Sequence, residues 1–361
     1  MASQQYVADF SLALLNRTGA YHVCRDIIVN LPERFSGVRY WRAVLPREPR
    51  GLVRKLMARA MIYELSHWRA KAPPKDAGER AGPPTLYLDP LYVLQARLGE
   101  NDIVLCHDVG PVNTVGLFDD TTTAMYRAAY AKIQRARPGM VFVSEASRRE
   151  FVACFGSDFR FLKVIPLYVR PGSDQGDLVA PAGVARPFLL TVGALEVRKN
   201  YLRVLEAFAR SGLAERGYSY VFCGPRGNNT EAIEAAAART PGARYLGFCS
   251  DAEIRWLYRN ASGFVLPSLL EGFGLPALEA AQHGLISLVS THEVQREAVG
   301  DGAVMADPLS VEAITEGLRH LVDMPEPERR WRLEKAKAQA ASLSFDRYIA
   351  NWSALLSDAR A

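Results

Sequence analysis

Short apolar, β-branched runs alternate with longer stretches in which apolar residues recur every three or four positions. That alternation predicts βαβ units and parallel sheets. It is plainest in the second half. PFLLTVGAL (187–195) reads as a strand, YLRVLEAFARSG (201–212) as an amphipathic helix and YSYVFCG (218–224) as the next strand. EAIEAAAAR (231–239) reads as a helix and ARYLGF (243–248) as a strand. DAEIRWLYRNA (251–261) is a helix capped by Ser250 or Asp251, with Glu253 in its first turn. GFVLPS (263–268), LISLVS (285–290) and AVMAD (303–307) are further strands. In the first half QQYVADFSLAL, VRYWRAVL, DIVLCHD, GMVFVSEA and FLKVIPLYV are the candidates. Two segments lack apolar period: KAPPKDAGERAGPPT (71–85), a surface loop by composition, and PGSDQGDLVAPAGVARP (171–187), a linker. The pattern predicts two α/β, doubly wound, Rossmann-like domains, 1–172 and 187–338, followed by a C-terminal segment 339–361. The default ligand site is the cleft between them, at the carboxyl ends of the strands.

Composition adds limits rather than detail. With 361 residues, 49% hydrophobic and 23% charged, the chain has the makings of two packed domains and not of a disordered segment. A net charge of +5 is too mild to argue for nucleic acid as a partner. Its distribution is uneven: residues 1–170 carry 24 Lys and Arg against 16 Asp and Glu, the remainder 20 against 23. Cys24, Cys106, Cys154, Cys223 and Cys249 are scattered without a CxxC pair, which points to no zinc site, no disulfide framework and a reducing compartment. The first residues lack a basic n-region, and no apolar run approaches the ~20 residues of a membrane span. A cytoplasmic protein, soluble or peripheral on a membrane, is expected.

The richest stretch is PSLLEGFGLPALEAAQHG (267–284). A strand ends, the loop Glu271-Gly272-Phe273-Gly274 follows, and Pro276 falls where a first helical position belongs, because its missing N–H costs nothing there. The helix is expected to run to Gly284, with Glu279 in its first turn. Glycines before a helix N-terminus let the backbone approach a phosphate or a sugar closely. Two blander readings stay open: a dinucleotide loop, since GFGLPA formally matches GxGxxA, and a plain capping loop.

These residues carry a family resemblance. EGFGLPALEA is similar to the E-x7-E signature of glycosyltransferase family 4, retaining enzymes of the GT-B fold, with Glu271 and Glu279 as its glutamates. GALEVRKN (193–200) resembles the G-x-x-x-x-R-K-N segment of that family. YLGFCSDAEIRWLYRNASGFVLPS and THEVQREAVGDGAVMADP resemble its later segments, so the likeness covers most of 187–310. It implies a nucleotide-sugar donor and a saccharide acceptor. Lys199, with Arg198, would hold the diphosphate; Glu279 would take the ribose hydroxyls and Glu271 those of the transferred sugar. The N–H groups of Gly272, Phe273 and Gly274, with Leu275 beside them, would bind sugar and phosphates. Phe248 and Cys249 would lie along the base, although Phe248 reads equally as a core aromatic, and Arg198 and Lys199 elsewhere would read as solvated charges. LCHDVGP (105–111) resembles the H-D-x-x-P segment: His107 would reach the donor from the first domain, and Asp108 would orient it or cap a turn. LLNRTGAYHVCRDIIVNL (14–31) resembles the first glycine loop, with Thr18 and Gly19 as candidates and Ala20 where many members have glycine. SEASRREF (144–151) resembles a further segment, Ser144 capping its helix. The C-terminal helix FDRYIANWSALL (345–356) would pack back on the first domain. No D-x-D triplet is present, so no metal and no cofactor is expected. Within the family the chain looks most like bacterial mannosyltransferases of surface-polysaccharide and lipopolysaccharide assembly. GDP-mannose is the first donor, UDP-sugars the next; a glycoside phosphorylase or a catalytically silent sugar-nucleotide-binding or membrane-docking subunit are the alternatives.

One basic run remains. Arg39, Arg42, Arg47, Arg50, Arg54, Lys55 and Arg59 face only Glu48 between 39 and 59. GLVRKLMARAMIYELSHW (51–68) reads as a helix with Leu52, Leu56, Ala60 and Tyr63 on one face. Either that face packs into the core under a solvated charged surface, or it lies open beside the basic residues and docks on anionic lipid, guiding a polyprenyl-diphosphate-linked acceptor.

Overall fold

The computed structural model describes residues 5–15, 19–67 and 82–358. Its chain forms two compact units, one up to Leu167 plus the residues from Asp346 onward, the other Tyr168–Phe345. The division therefore falls before the proline- and glycine-rich segment, not within it. Residues 171–187 are held to the second unit by hydrogen bonds: Ser173 to the Gln282 side chain, Arg259 to the Asp174 carbonyl, Arg255 to the Asp177 carbonyl and Arg244 to the Gly183 carbonyl. Linker composition reflects turns here, and the turns are paved onto helices by arginines.

The first unit is built on a seven-stranded sheet of β1 (Tyr6–Asp9), β2 (Phe35–Tyr40), β3 (Ala43–Val44), β4 (Thr85–Tyr87), β5 (Ile103–Cys106), β6 (Gly139–Phe142) and β7 (Phe161–Val164), in the order β3-β2-β1-β4-β5-β6-β7. Every pairing is parallel except β2 with β3. VRYWRAVL, expected as one strand, is thus a hairpin, with Trp41 at its turn in a left-handed conformation (φ 59°). β4 escaped the sequence reading because it is only three residues long, yet it lies in the middle of the sheet and all three are buried. Ser144 caps its helix as expected, accepting from the Ser147 N–H. The last helix, Phe345–Ser357, belongs to this unit from Asp346 on; Trp352 is fully buried and the Tyr348 hydroxyl donates to the Val23 carbonyl at 3.1 Å. It begins at Phe345, as expected, while residues 339–342 of the C-terminal segment belong to the preceding helix Glu326–Ser342, which stays in the second unit.

The second unit carries a six-stranded, fully parallel sheet: β8 (Phe188–Val192), β9 (Ser219–Cys223), β10 (Ala243–Tyr245), β11 (Gly263–Leu266), β12 (Ser287–Ser290) and β13 (Val304–Ala306), in the order β10-β9-β8-β11-β12-β13. Helix Tyr201–Arg210 buries Tyr201, Val204, Leu205, Ala207 and Phe208, the i, i+3, i+4, i+7 stripe that its sequence displays. Each large side chain of that stripe adds about 1.5–3 kcal/mol of hydrophobic stabilisation. The strand order reverses between β8 and β11, so the loops leaving these two neighbours splay apart and leave a crevice at their carboxyl ends.

Candidate functional site

The loop after β8 runs through a short 3-10 turn, Val197–Lys199, and Asn200 in a left-handed conformation (φ 62°) before helix Tyr201–Arg210 begins. Arg198 and Lys199 therefore precede the helix instead of starting it. Asn200 fixes this turn by donating to the Pro267 and Pro308 carbonyls at 2.9 and 2.8 Å, and the Leu269 N–H donates to the Arg198 carbonyl. The two crevice loops are stitched together by these bonds.

The stitching joins residues 72 positions apart. Lys199 Nζ donates to Glu271 Oε1 at 2.6 Å, the Ser268 hydroxyl donates to the same oxygen at 2.7 Å, and Arg198 Nη1 stands 3.6 Å from Oε2. Arg198 Nε is also 2.6 Å from Glu196. Lys199 is only 6% exposed, so it is not a solvated surface charge. Burial pushes Glu271 upward, but Lys199, Arg198 and the Ser268 hydroxyl outweigh it and hold the carboxyl below its ordinary range. On Lys199 burial, aided by Arg198, outweighs Glu271 and lowers the ammonium. A buried cation whose partner is a carboxylate can exchange that partner for phosphate oxygens at little added desolvation cost.

Beyond Glu271 the backbone turns through Gly272 and Phe273 to Gly274, whose φ of 98° is left-handed, and helix Leu275–Gln282 follows. Phe273 is buried. The N–H groups of Phe273, Gly274 and Leu275 donate to no acceptor among the described residues. They are the donors a helix start leaves over. The helix is shorter than expected: Pro276 is its second residue, Gln282 its last, and Gly284 (φ 78°) lies past its end. Glu279, the fifth residue, consequently sits in the second turn and not the first.

Glu279 accepts a hydrogen bond from the Tyr258 hydroxyl at 3.2 Å. Burial raises its carboxyl to about 6 against the pull of Tyr258 and Arg170. Tyr258, itself buried, stacks on His283 with ring centres 5.0 Å apart and planes 8° from parallel. The sequence reading missed Tyr258; its only signal was an aromatic on the buried face of helix Asp251–Asn260. Phe248 is 85% exposed and so is not a core aromatic, whereas its neighbour Cys249 is buried. The capping box of Ser250 and Glu253 starts the next helix directly after them.

In the first unit, His107 follows β5. Its Nε2 is 3.2 Å from the Leu88 carbonyl and 4.0 Å from Cys24 Sγ. A carbonyl only accepts, so Nε2 is the donor in this contact. Asp108 caps a turn: its Oδ1 accepts the Gly110 N–H at 2.8 Å. Asp89, after β4, accepts from the Leu91 N–H at 2.8 Å and from the Tyr126 hydroxyl. Gly19 opens helix Gly19–Asn30 and is exposed; Thr18 lies outside the described residues. In helix Gly51–Ser66 the apolar residues Leu52, Val53, Leu56, Ile62 and Tyr63 are exposed, and only Met61 and Leu65 are buried. Lys55 and Arg59 are exposed among them, while Arg54 is half-buried and donates to the Leu14 carbonyl at 3.0 Å. Among the described residues no helix is long and apolar enough to cross a membrane.

Comparison with known proteins places this geometry. The O-antigen chain mannosyltransferase B of Escherichia coli is 32% identical over 166 residues, 44% of this chain and 42% of that protein. The GDP-mannose:cellobiosyl-diphosphopolyprenol alpha-mannosyltransferase of Komagataeibacter xylinus is 31% identical over 193 residues, 50% of this chain and 48% of that one. These matches thus span less than half the length of either relative. A UDP-forming trehalose-phosphate synthase from Burkholderia xenovorans superposes over 99% of this chain and 100% of its own with a TM-score of 0.67 at 14% identity, which establishes the fold: two Rossmann-like parallel-sheet units of the GT-B type. The family profile described as Glycosyl transferases group 1 matches residues 181–339, a span that holds Arg198, Lys199, Tyr258, Glu271 and Glu279. The second unit is thus similar to a glycosyl transferases group 1 domain.

Proposed function

We propose that the protein is a retaining, metal-independent glycosyltransferase that moves mannose from GDP-mannose to a saccharide acceptor in bacterial surface-polysaccharide assembly. The observation that carries this reading is the buried Lys199–Glu271 pair at the reversal point of the second sheet, beside three N–H groups without an acceptor among the described residues. Lys199 and Arg198 neutralise the departing diphosphate, and the N–H groups of Phe273, Gly274 and Leu275 share that charge. Glu271, released from Lys199, accepts from hydroxyls of the sugar; Glu279 accepts from the ribose. The exposed ring of Phe248 and the backbone at Cys249 meet the base. His107 Nδ1 accepts from a donor hydroxyl. In the transfer the bond from C1 to the phosphate oxygen breaks and one from C1 to the acceptor oxygen forms on the same face; the acceptor proton passes to the departing phosphate. The names of the two mannosyltransferase relatives favour mannose, and the second of them GDP-mannose and a polyprenyl-diphosphate-linked acceptor.

The test is calorimetric binding of GDP, UDP, ADP and dTDP, each with and without EDTA. Saturable, EDTA-insensitive binding of GDP that Lys199→Ala weakens about a hundredfold is the expected result. UDP in its place moves the donor to the UDP-sugars; binding of none makes the chain a catalytically silent subunit or a phosphorylase.

Attachment to the cytoplasmic face of an anionic membrane belongs to the same proposal. Leu52, Val53, Leu56, Ile62 and Tyr63 stand open beside Arg50, Lys55 and Arg59, the pairing of apolar anchors with cations that an anionic interface binds. Sedimentation with vesicles of phosphatidylglycerol should fall when Arg50, Lys55 and Arg59 become Glu; unchanged sedimentation refutes the docking.

A further inference from the structure

Gln295 is the third residue of helix Glu293–Val299, which follows β12. It is fully buried, and neither Oε1 nor Nε2 of its amide has a hydrogen-bond partner among the described residues. A buried amide without partners is costly, and native chains keep few of them. This one lies flat against the loop that opens helix Leu275–Gln282. A Cβ placed on Gly274 would come within 2.6 Å of Gln295 Oε1, 3.2 Å of Cδ and 3.4 Å of Nε2. The amide thus faces the same turn whose N–H groups of Phe273, Gly274 and Leu275 also lack acceptors. Donors and an acceptor lie side by side and leave each other unused, which marks a local arrangement whose hydrogen bonding is completed by something else.

We infer that Gln295 is a positioning residue for the 271–275 loop, its amide satisfied only when the loop closes on a bound nucleotide sugar. Without the donor, the loop holds its N–H groups toward the crevice and strands the amide. When phosphate and sugar oxygens take the outward N–H groups, a rotation of the peptide at Gly274 turns a backbone group onto the amide. Only glycine allows that rotation beside Gln295, since any Cβ would strike Oε1. The cost of the stranded amide is then relieved on binding, so the side chain favours the donor-bound loop without touching the donor. This rests on the functional reading above and adds a residue to it.

The experiment replaces Gln295 by Met, an apolar side chain of similar length, and reads two quantities on the purified full chain. One is the melting temperature without ligand. The other is the affinity for GDP-mannose, or for whichever sugar nucleotide the wild type binds. The expected result has opposite signs: the variant melts several degrees higher, because a buried unpaired amide is gone, and binds the sugar nucleotide about tenfold more weakly. A purely structural role cannot move the two in opposite directions. A lower melting temperature, with affinity reduced or unchanged, overturns the inference and assigns the amide to internal packing or a trapped water. A higher melting temperature with unchanged affinity overturns it as well. If the wild type binds no nucleotide, the functional reading fails, while the melting temperature still decides whether the amide is stranded.

Discussion

The two sheets reverse their strand order in the same way, at β1/β4 in one unit and β8/β11 in the other, and each gathers polar side chains where it does so. What they do with them differs. In the first unit the polar groups close on one another: Asp9 accepts from the Ser11 N–H and hydroxyl and has Arg39 3.7 Å away, Asp89 is taken by Leu91 and Tyr126, and Asp108 by Gly110. In the second unit, two cations converge on one carboxylate, and among the described residues three N–H groups have no acceptor and a buried amide has no partner. Topology supplies the crevice twice; the second brings two cations and a helix start to its mouth, an arrangement suited to anionic and hydroxyl oxygens.

The sharpest way to break this comparison is Lys199→Ala. It leaves Glu271 buried with Arg198 and Ser268 as the partners described here. Removing one member of a buried pair costs about 3–5 kcal/mol, which urea denaturation should register. Nucleoside diphosphate affinity should fall about a hundredfold. Adding Glu271→Gln should recover most of the stability and none of the binding. A double variant as unstable as the single one would mean that uncompensated charge is not what Lys199 relieves.

Glycines give the next test. Gly274→Ala places a side chain at φ 98° and against Gln295, for a cost of about 2–3 kcal/mol and a loss of donor binding. Gly156 of the first unit has φ 80° and nothing within 4 Å of its added Cβ. Gly156→Ala should cost only the conformational part, about 1–3 kcal/mol at its φ 80°, ψ −174°, and leave binding alone. Equal effects of the two on binding would show that the loop at Gly274 has no special role.

Two carboxyls sharpen the contrast further. Burial raises both Asp9 and Glu279 to about 6, from 3.8 and 4.5. The folded chain therefore binds protons more tightly than the unfolded chain at these sites. Their contribution is favourable at low pH and is lost as pH rises from about 4 through 6. For Glu279 the shift corresponds to about 2 kcal/mol at pH 8. Glu279→Gln should raise stability by up to that amount at pH 8 and change nothing at pH 4. Asp9→Asn should flatten the same window by more, about 3 kcal/mol, because its shift is the wider of the two. Only Glu279→Gln should weaken nucleotide binding.

Much of this was legible in the chain itself. The β-branched runs and glycine punctuation of the second half announce all six strands, and the loops after β8 and β11 carry the cations and glutamates that define the site. Other features could not be read. Periodicity tells which residues of helix Gly51–Ser66 share a face, but not that Leu52, Leu56 and Tyr63 are left uncovered. β4 is too short to show a period. The burial of Gln295 depends on Gly274, 21 residues away, and the Lys199–Glu271 contact spans 72. Such pairings follow from which strands are neighbours, and a single sequence does not state that.

The smallest effect expected is at Tyr258. Its hydroxyl takes one oxygen of Glu279, so the carboxylate is held by Oε2 and presents Oε1 in a fixed direction. Tyr258→Phe keeps the ring and its stacking on His283 while removing the hydroxyl. A net hydrogen bond to a charged group is worth about 1.5–3 kcal/mol, less here at 3.2 Å, so affinity for GDP should fall only severalfold. The informative quantity is the ratio of affinities for GDP and 2′-deoxy-GDP. If Tyr258 aims Glu279 at the ribose, the ribonucleotide loses affinity and the deoxynucleotide hardly changes, so the ratio shrinks. A ratio equal to that of the wild type would mean that Tyr258 serves packing alone. Glu279 would then be aimed by its helix, and the second crevice would owe its fit to backbone placement more than to side chains outside the loops.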